Sequence, residues 1–365
     1  MVRPLKYGLI GAGMMGQEHI RNVNLLGNVS VTAIFDPDPA MRGASQVLAG
    51  GAQSVDSIDA MLALGDLDAL VIASPNHLHA DQFAQIAKTR PLPLLIEKPL
   101  FTNPDDAARV TALGRDYPAP VWVAMEYRYM PPIQRLIAET QTATGGPMML
   151  TIREHRFPFL PKVANWNRFN RNTGGTLVEK CCHFFDLMRL ILKDEPLRVM
   201  ASAGQVMNHL GESYDGEVPD IWDAGYVIVD FRGGARAMLE LCMFAEGAKY
   251  QEEISVVGGQ GKIECLVPGP GRLWPGHLGA PPVPVLIRSP RSPKGPVREE
   301  VTVDPTVLAA GDHNGATFYQ HQRFAEVVRS GGTPDVTLFD GAMAVAIGLA
   351  AQKSAVSGQA VEVTV

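Results

Sequence analysis

The chain has 365 residues, more than one hydrophobic core usually organises, so two domains are expected. With 46% apolar and 19% charged residues it has the composition of a soluble globular protein, and a net charge of -6 excludes general affinity for nucleic acid or anionic membrane. Four cysteines, Cys181, Cys182, Cys242 and Cys265, are too few and too irregularly spaced for a disulfide scaffold or a paired zinc motif. No apolar segment has the length or flanks of a signal peptide or a membrane span, which predicts a cytoplasmic protein.

The first predicted strand, Lys6–Ile10, runs into Gly11-Ala12-Gly13-Met14-Met15-Gly16. Glycines at this spacing turn a buried strand sharply into a helix. The first permits the turn, the second lets backbone approach a pyrophosphate, the third lets helix lie close to strand, and the helix N-terminus holds the anion. A second apolar run, Val31–Phe35, ends on Asp36, twenty residues beyond Gly16. An acid there accepts hydrogen bonds from both ribose hydroxyls and repels a 2′-phosphate. Pro37-Asp38-Pro39 brings no arginine to receive one, so the stretch reads as a site for NAD rather than NADP. Met14 and Met15 fall inside this cofactor loop, although their side chains read as packing.

Further strands are predicted at Ala69–Ala73, Leu94–Ile96 and Val121–Ala124, with helices near Gln17–Leu26, Pro39–Ala49, Ser57–Leu64, His79–Lys88 and Pro104–Asp116. This alternation makes a parallel, doubly wound α/β sheet over residues 1–125. Ligands of such sheets sit beyond the carboxyl ends of the strands. Ser74-Pro75-Asn76, with His79, and Glu97-Lys98-Pro99 occupy that position, and Ser74, Pro75, Asn76, His79, Glu97 and Lys98 are assigned to the cofactor.

From about residue 126 the texture changes. Met148–Arg156, Val199–Asn208, Ala224–Phe231, Ala235–Phe244 and Ile254–Val257 read as longer strands, several joined by hairpin signals, so residues 126–365 are expected to form an α+β domain with a mostly antiparallel sheet. One helix is predicted at Thr176–Leu192. The Pro- and Gly-dense run Pro268–Pro296 reads as a long surface excursion leading to a strand at Arg298–Val303. Helices near Ala316–Ser330 and Gly341–Ser357 close the chain.

Two constellations can carry chemistry. On a helix Glu179 and His183 share one face, and a histidine beside a carboxylate can act as a general base. Lys98, at a strand's carboxyl end, can bond a substrate hydroxyl and stabilise the negative charge that develops as hydride leaves. Glu179, Cys181, Cys182 and His183 crowd together, but consecutive helical positions point about 100° apart, so no metal is expected. Arg128, Arg153, His155, Trp166 and Asn167 lie in segments expected to face the cleft, with Arg128 assigned to the cofactor and the other four to the substrate.

Taken in order, these motifs resemble the Gfo/Idh/MocA family of NAD(P)-dependent oxidoreductases. The resemblance rests on Gly11 to Gly16 with His19, Pro75-Asn76 with His79, Glu97-Lys98-Pro99, Tyr127-Arg128-Tyr129 with Pro131, Gly174-Gly175 through His183, and Phe324, Gly331, Pro334, Asp340-Gly341, Ala350 and Ser354. It implies a Rossmann domain followed by a domain with a large open sheet, often paired sheet to sheet in homodimers or homotetramers. It also implies a catalytic lysine at Lys98 and a catalytic histidine at His183, acting on a secondary hydroxyl of a sugar, sugar derivative or cyclitol. The family commonly has aspartate where this chain has Glu179, which moves the carboxylate by about 1.5 Å. Two alternatives stand beside a dehydrogenase: a glycosidase that oxidises transiently with tightly held NAD, eliminates and re-reduces, and a non-catalytic NAD-binding sensor.

Overall fold

The structure, a computed structural model, describes residues 3–364. Short runs rich in Leu, Ile and Val form all of the parallel sheet but its exposed edge β3 (Gln53–Ser54): β1 (Leu5–Ile10), β2 (Val29–Phe35), β4 (Ala69–Ile72), β5 (Leu94–Ile96) and β6 (Val121–Val123). Every residue of β4, β5 and β6 is buried, because helices cover both faces. The crossovers are α1 (Met14–Leu25), α2 (Pro39–Leu48), α3 (Ile58–Leu62), α4 (His79–Thr89) and α5 (Asp106–Asp116). The strand order β3-β2-β1-β4-β5-β6 puts the topological switch between β1 and β4, where such sheets open a crevice.

After α6 (Pro131–Thr144) the chain enters a nine-stranded sheet. Its strands are β7 (Pro147–His155), β8 (Pro196–Gly204), β9 (Ala224–Phe231), β10 (Arg236–Cys242), β11 (Glu252–Gly258), β12 (Gly261–Val267), β13 (Val285–Pro290), β14 (Val297–Glu300) and β15 (Val361–Glu362). Neighbouring strands run antiparallel except β7 and β10, which pair parallel. Strand alternation divides this sheet into two faces. Leu150, Ile152 and Glu154 are buried on the helix side, whereas Met149, Met200, Tyr226 and Ile228 are exposed on the other.

Two expectations change here. The Pro-rich stretch is not one excursion to Pro296, because β13 forms inside it and pairs along β12, leaving irregular parts at 268–284 and 291–296. Prolines at 284 and 290 bound the strand without removing a donor from its middle. The helix expected over Thr176–Leu192 is broken: after α7 (Asn170–Thr173) come α8 (Thr176–Glu179) and α9 (Cys182–Leu192), with Lys180 and Cys181 between them.

Beyond α10 (Pro305–Ala309), α11 (Ala316–Ser330) packs on α1, and α12 (Leu338–Ser357) packs on β6, α8 and β8. A capping box of Thr337 and Asp340 starts α12. Just before it Val336 accepts a hydrogen bond through its carbonyl from the Val123 N–H at 3.2 Å. The end of the chain therefore returns to the first sheet and joins both layers. Among the described residues no helix is long and apolar enough to cross a membrane.

Candidate active site

The turn after β1 is sterically specified. Gly11 has φ +93°, and a Cβ on it would lie 2.4 Å from the Ser74 nitrogen; a Cβ on Gly16 would lie 2.2 Å from the Gly11 carbonyl oxygen. Gly13 differs, because a Cβ there would meet nothing within 4 Å. The open space stands at the start of α1, whose first turn has neither a side-chain cap nor an acidic residue. Free N–H groups at a helix start beside an open cradle fit a dinucleotide pyrophosphate. Met14 is 43% exposed beside this cradle and Met15 half-buried. Asp36 follows β2 and accepts from Ala12 N at 2.6 Å and Asp38 N at 2.8 Å. This fixes the carboxylate at the rim of the cradle. Replacing Asp36 by alanine is expected to reduce the preference for NAD over NADP about ten-fold or more, read as a ratio of dissociation constants, because the like-charge penalty is removed.

The loops after β4 and β5 are tied together from behind. His79, fully buried, lies with Nδ1 2.8 Å from the Pro99 carbonyl and Nε2 3.0 Å from the Ser74 carbonyl. Expected at the cofactor, it instead braces the two loops. Ser74 donates to Gln82 at 2.6 Å, and the buried Asn76 keeps an unpartnered Nδ2. Pro75 caps the 3-10 turn that carries Asn76. Glu97 is buried, pairing at 3.0 Å with His19 and accepting from Lys98 N at 3.2 Å. Its side chain shapes the turn that projects Lys98.

Lys98 Nζ donates to the Glu179 carbonyl at 3.0 Å. The break between α8 and α9 makes this possible. In an uninterrupted helix that carbonyl accepts from the backbone N–H four residues on; here it also receives the Cys182 thiol at 3.6 Å. The Glu179 carboxylate does not bond His183. Its Oε1 lies 3.9 Å from Lys162 Nζ, and its buried Oε2 has no partner. His183 is buried, with Nδ1 unpartnered and its ring stacked on Tyr127 at 4.1 Å and 7°. Burial and the positive charges of Lys98, Lys180, His313 and Arg156 hold its pKa well below the ordinary histidine value. The imidazole is therefore neutral at pH 7 and able to accept a proton.

Lys162 stands 4.6 Å over the Trp166 ring, whose other neighbour is His77 at 6.3 Å. Asn167, buried, donates to the Leu160 carbonyl at 3.0 Å and leaves Oδ1 unpartnered. The remaining substrate candidates are not brought here. Arg153 and His155 alternate with Glu154 on β7 and lie on the opposite face of the sheet, paired with Glu240 at 3.0 Å each. Arg128, expected at the cofactor, clamps Asp186 on α9 and donates to the Asp335 carbonyl at 2.9 Å.

Sequence reasoning missed Lys162, Glu154 and His313. Lys162 sits in an irregular loop with no periodicity to signal it. Glu154 had a signal: it occupies the inward register of Leu150 and Ile152. His313 lies 2.9 Å from Glu18 and 3.3 Å from Glu126, both deeply buried. These carboxylates raise its pKa to about 9 against the desolvation that opposes it. A pKa raised in the folded state stabilises fully below the unfolded value of 6.5, and that stability is lost as pH rises through about 9. Thermal midpoints between pH 6 and 10 are expected to fall over this window, and the His313→Gln variant to lack that component.

Residues 5–125 match the NAD-binding Rossmann fold of the Gfo/Idh/MocA oxidoreductases, and residues 141–363 match that family's C-terminal alpha/beta domain. The chain belongs to the Gfo/Idh/MocA family. Among relatives of this family, the rhizopine catabolism protein MocA of Rhizobium meliloti is 26% identical over 65% of this chain and 70% of its own length. An inositol 2-dehydrogenase of Rhizobium meliloti strain 1021 is 26% identical over 71% of this chain and 74% of its own. A solved levoglucosan dehydrogenase, in complex with NADH and levoglucosan, superposes with a TM-score of 0.83 at 19% identity, covering 100% of both chains. The Gfo/Idh/MocA assignment makes this an NAD-binding oxidoreductase.

Proposed function

We propose that this protein is an NAD-dependent dehydrogenase acting on a secondary hydroxyl of a cyclitol or sugar, with Lys98 and His183 as its catalytic pair. The observation that carries this reading is the convergence of Lys98, from the carboxyl end of β5, on the break that presents Glu179 and a neutral His183. The cradle of Gly13 and the Asp36 carboxylate would hold a nicotinamide coenzyme, which would supply the hydride acceptor. Lys98 donates a hydrogen bond to the reacting oxygen, and His183 takes the hydroxyl proton. Glu179 and Lys162 bond neighbouring hydroxyls, and Trp166 offers an apolar ring face of the kind that packs against a sugar or cyclitol ring. Two sources support the substrate class: these polar groups with orphaned buried atoms, which ask for a ligand rich in hydroxyls, and relatives that act on inositol and levoglucosan.

The exposed apolar residues of the open sheet face, Met149, Met200, Tyr226 and Ile228, favour pairing with a second copy of the chain. Its four free cysteines suit a cytoplasmic setting. The test is a panel of inositols and sugars assayed for formation of reduced nicotinamide. Turnover of at least one polyol supports the reading. A chromogenic glycoside cleaved without net reduction of coenzyme assigns transient oxidation instead, and coenzyme binding with no turnover of either class overturns both.

A further inference from the structure

We propose that Lys180 and Tyr127 are positioning residues for His183, Lys180 fixing the tyrosine ring and the ring fixing the plane of the imidazole. The proposal rests on the reading of His183 as the base. Neither the Glu179 carboxylate nor a partner at Nδ1 orients that base; the ring lies flat against Tyr127 at 4.1 Å and 7°. The tyrosine is itself buried, and its hydroxyl accepts from Lys180 Nζ at 2.6 Å. Lys180 Nζ reaches Glu154 Oε1 at 2.8 Å, so phenol, ammonium and carboxylate form one chain from His183 to the sheet. Glu154 faces Glu252 across the β7–β11 pairing. Burial and the Glu154 charge push Glu252 up to about 8, so at pH 7 it is neutral and does not compete for the ammonium.

Lys180 is 4% exposed. Placing an ammonium there is costly unless it is paired and does something an apolar side chain cannot. The break after Glu179 supplies the geometry. Because Lys180 and Cys181 separate α8 from α9, Lys180 turns toward β7 while His183, in the first turn of the next helix, lies over the tyrosine ring. The second effect is electrostatic. The charged or titratable groups facing His183 are Lys98 after β5, Lys180 at the break, Arg156 after β7 and His313 before α11, with Tyr127 from the 3-10 turn Glu126–Tyr129 and Glu179 on its own segment. Burial first, and then four cations among these, hold the imidazole unprotonated, and Lys180 is one of the four.

The experiment compares Lys180→Met, Lys180→Arg, Tyr127→Phe and Tyr127→Leu in the full chain by steady-state kinetics across pH. In parallel, the His183 ring is titrated by NMR on protein labelled with ¹⁵N-imidazole and assigned against His183→Gln. Lys180→Met is expected to lower kcat between about ten-fold and a hundred-fold, with KM little changed, and to move the His183 titration and the acid limb of kcat upward in pH. Lys180→Arg restores most of both. Tyr127→Phe keeps the stack and lies between parent and Tyr127→Leu. Should Lys180→Met not fold, Lys180→Arg and the tyrosine pair carry the same comparison. Parental kcat and an unmoved His183 titration in folded Lys180→Met, or in its absence parental values in Tyr127→Leu, overturn the proposal. Failure of the underlying reading shows separately, as full activity in His183→Gln.

Discussion

Lys98→Met and His183→Ala are each expected to lower kcat by about two to four orders of magnitude, the range for losing a positioned acid–base or charge-stabilising group, while coenzyme affinity changes little. The separation follows from where the residues stand. Lys98 Nζ and the His183 ring meet around the Glu179 carbonyl and the Tyr127 ring, whereas the groups suited to hold the dinucleotide are Gly13, the free start of α1 and Asp36. Because burial and neighbouring cations hold His183 neutral well below its ordinary range, wild-type kcat is expected to show no histidine-like loss between pH 7 and 6. Titration calorimetry for the coenzyme, beside steady-state turnover on whichever polyol the panel identifies, checks both statements. Equal turnover in parent and variants removes the catalytic pair. Equal loss of coenzyme binding and turnover moves the residues to the cofactor.

Gly13→Val and Gly11→Ala are expected to fail in opposite ways. Gly13 has φ -72° and ψ -160°, a backbone any residue adopts, with nothing within 4 Å of an added Cβ. Valine there costs the fold up to about 1 kcal/mol as a poorer N-cap, but its methyl groups occupy the path of the pyrophosphate. The expected outcome is a thermal midpoint within a few degrees of the parent and a loss of coenzyme affinity of at least about ten-fold. Gly11 combines φ +93° with an added Cβ 2.4 Å from the Ser74 nitrogen and 2.5 Å from the Ala73 carbonyl carbon. The Ala73–Ser74 peptide backbone it would meet cannot give, so Gly11→Ala is expected to destabilise the chain by about 1–3 kcal/mol or more. Thermal unfolding and calorimetry on the same preparations separate the cases. A Gly13→Val protein that binds coenzyme like the parent would place the pyrophosphate elsewhere.

What could be read from the residues alone was whatever depends on neighbours along the chain. The glycine turn, the acid after β2 and the doubly buried parallel strands all follow from local conformation and periodicity, and so did the parallel sheet and the NAD-binding class of the domain. The second sheet was legible as a class because alternation marks a strand wherever it lies. Its edge beyond β12 was less so, since prolines hide a strand whose partner is what stabilises it.

The site itself was legible as residue types but not as contacts. Glu179 and His183 looked like a pair because an ideal helix puts them on one face. The break at Lys180 and Cys181 dissolves that pair and hands the freed carbonyl to Lys98. Arg153 and His155 looked like cleft residues because they lie in the right segment, but a strand sends successive side chains to opposite faces. Alternation sets Glu154 in register with Leu150 and Ile152 and opposite Arg153 and His155, and the packing of α9 on β7 and of α12 on β8 makes that face the inward one. Likewise His313 acquires its charge from Glu18 and Glu126, which lie 295 and 187 residues away in the chain. Short-range sterics are written in consecutive residues, whereas burial, which sets both the charge states and the partners of these groups, exists only once distant elements have closed around them.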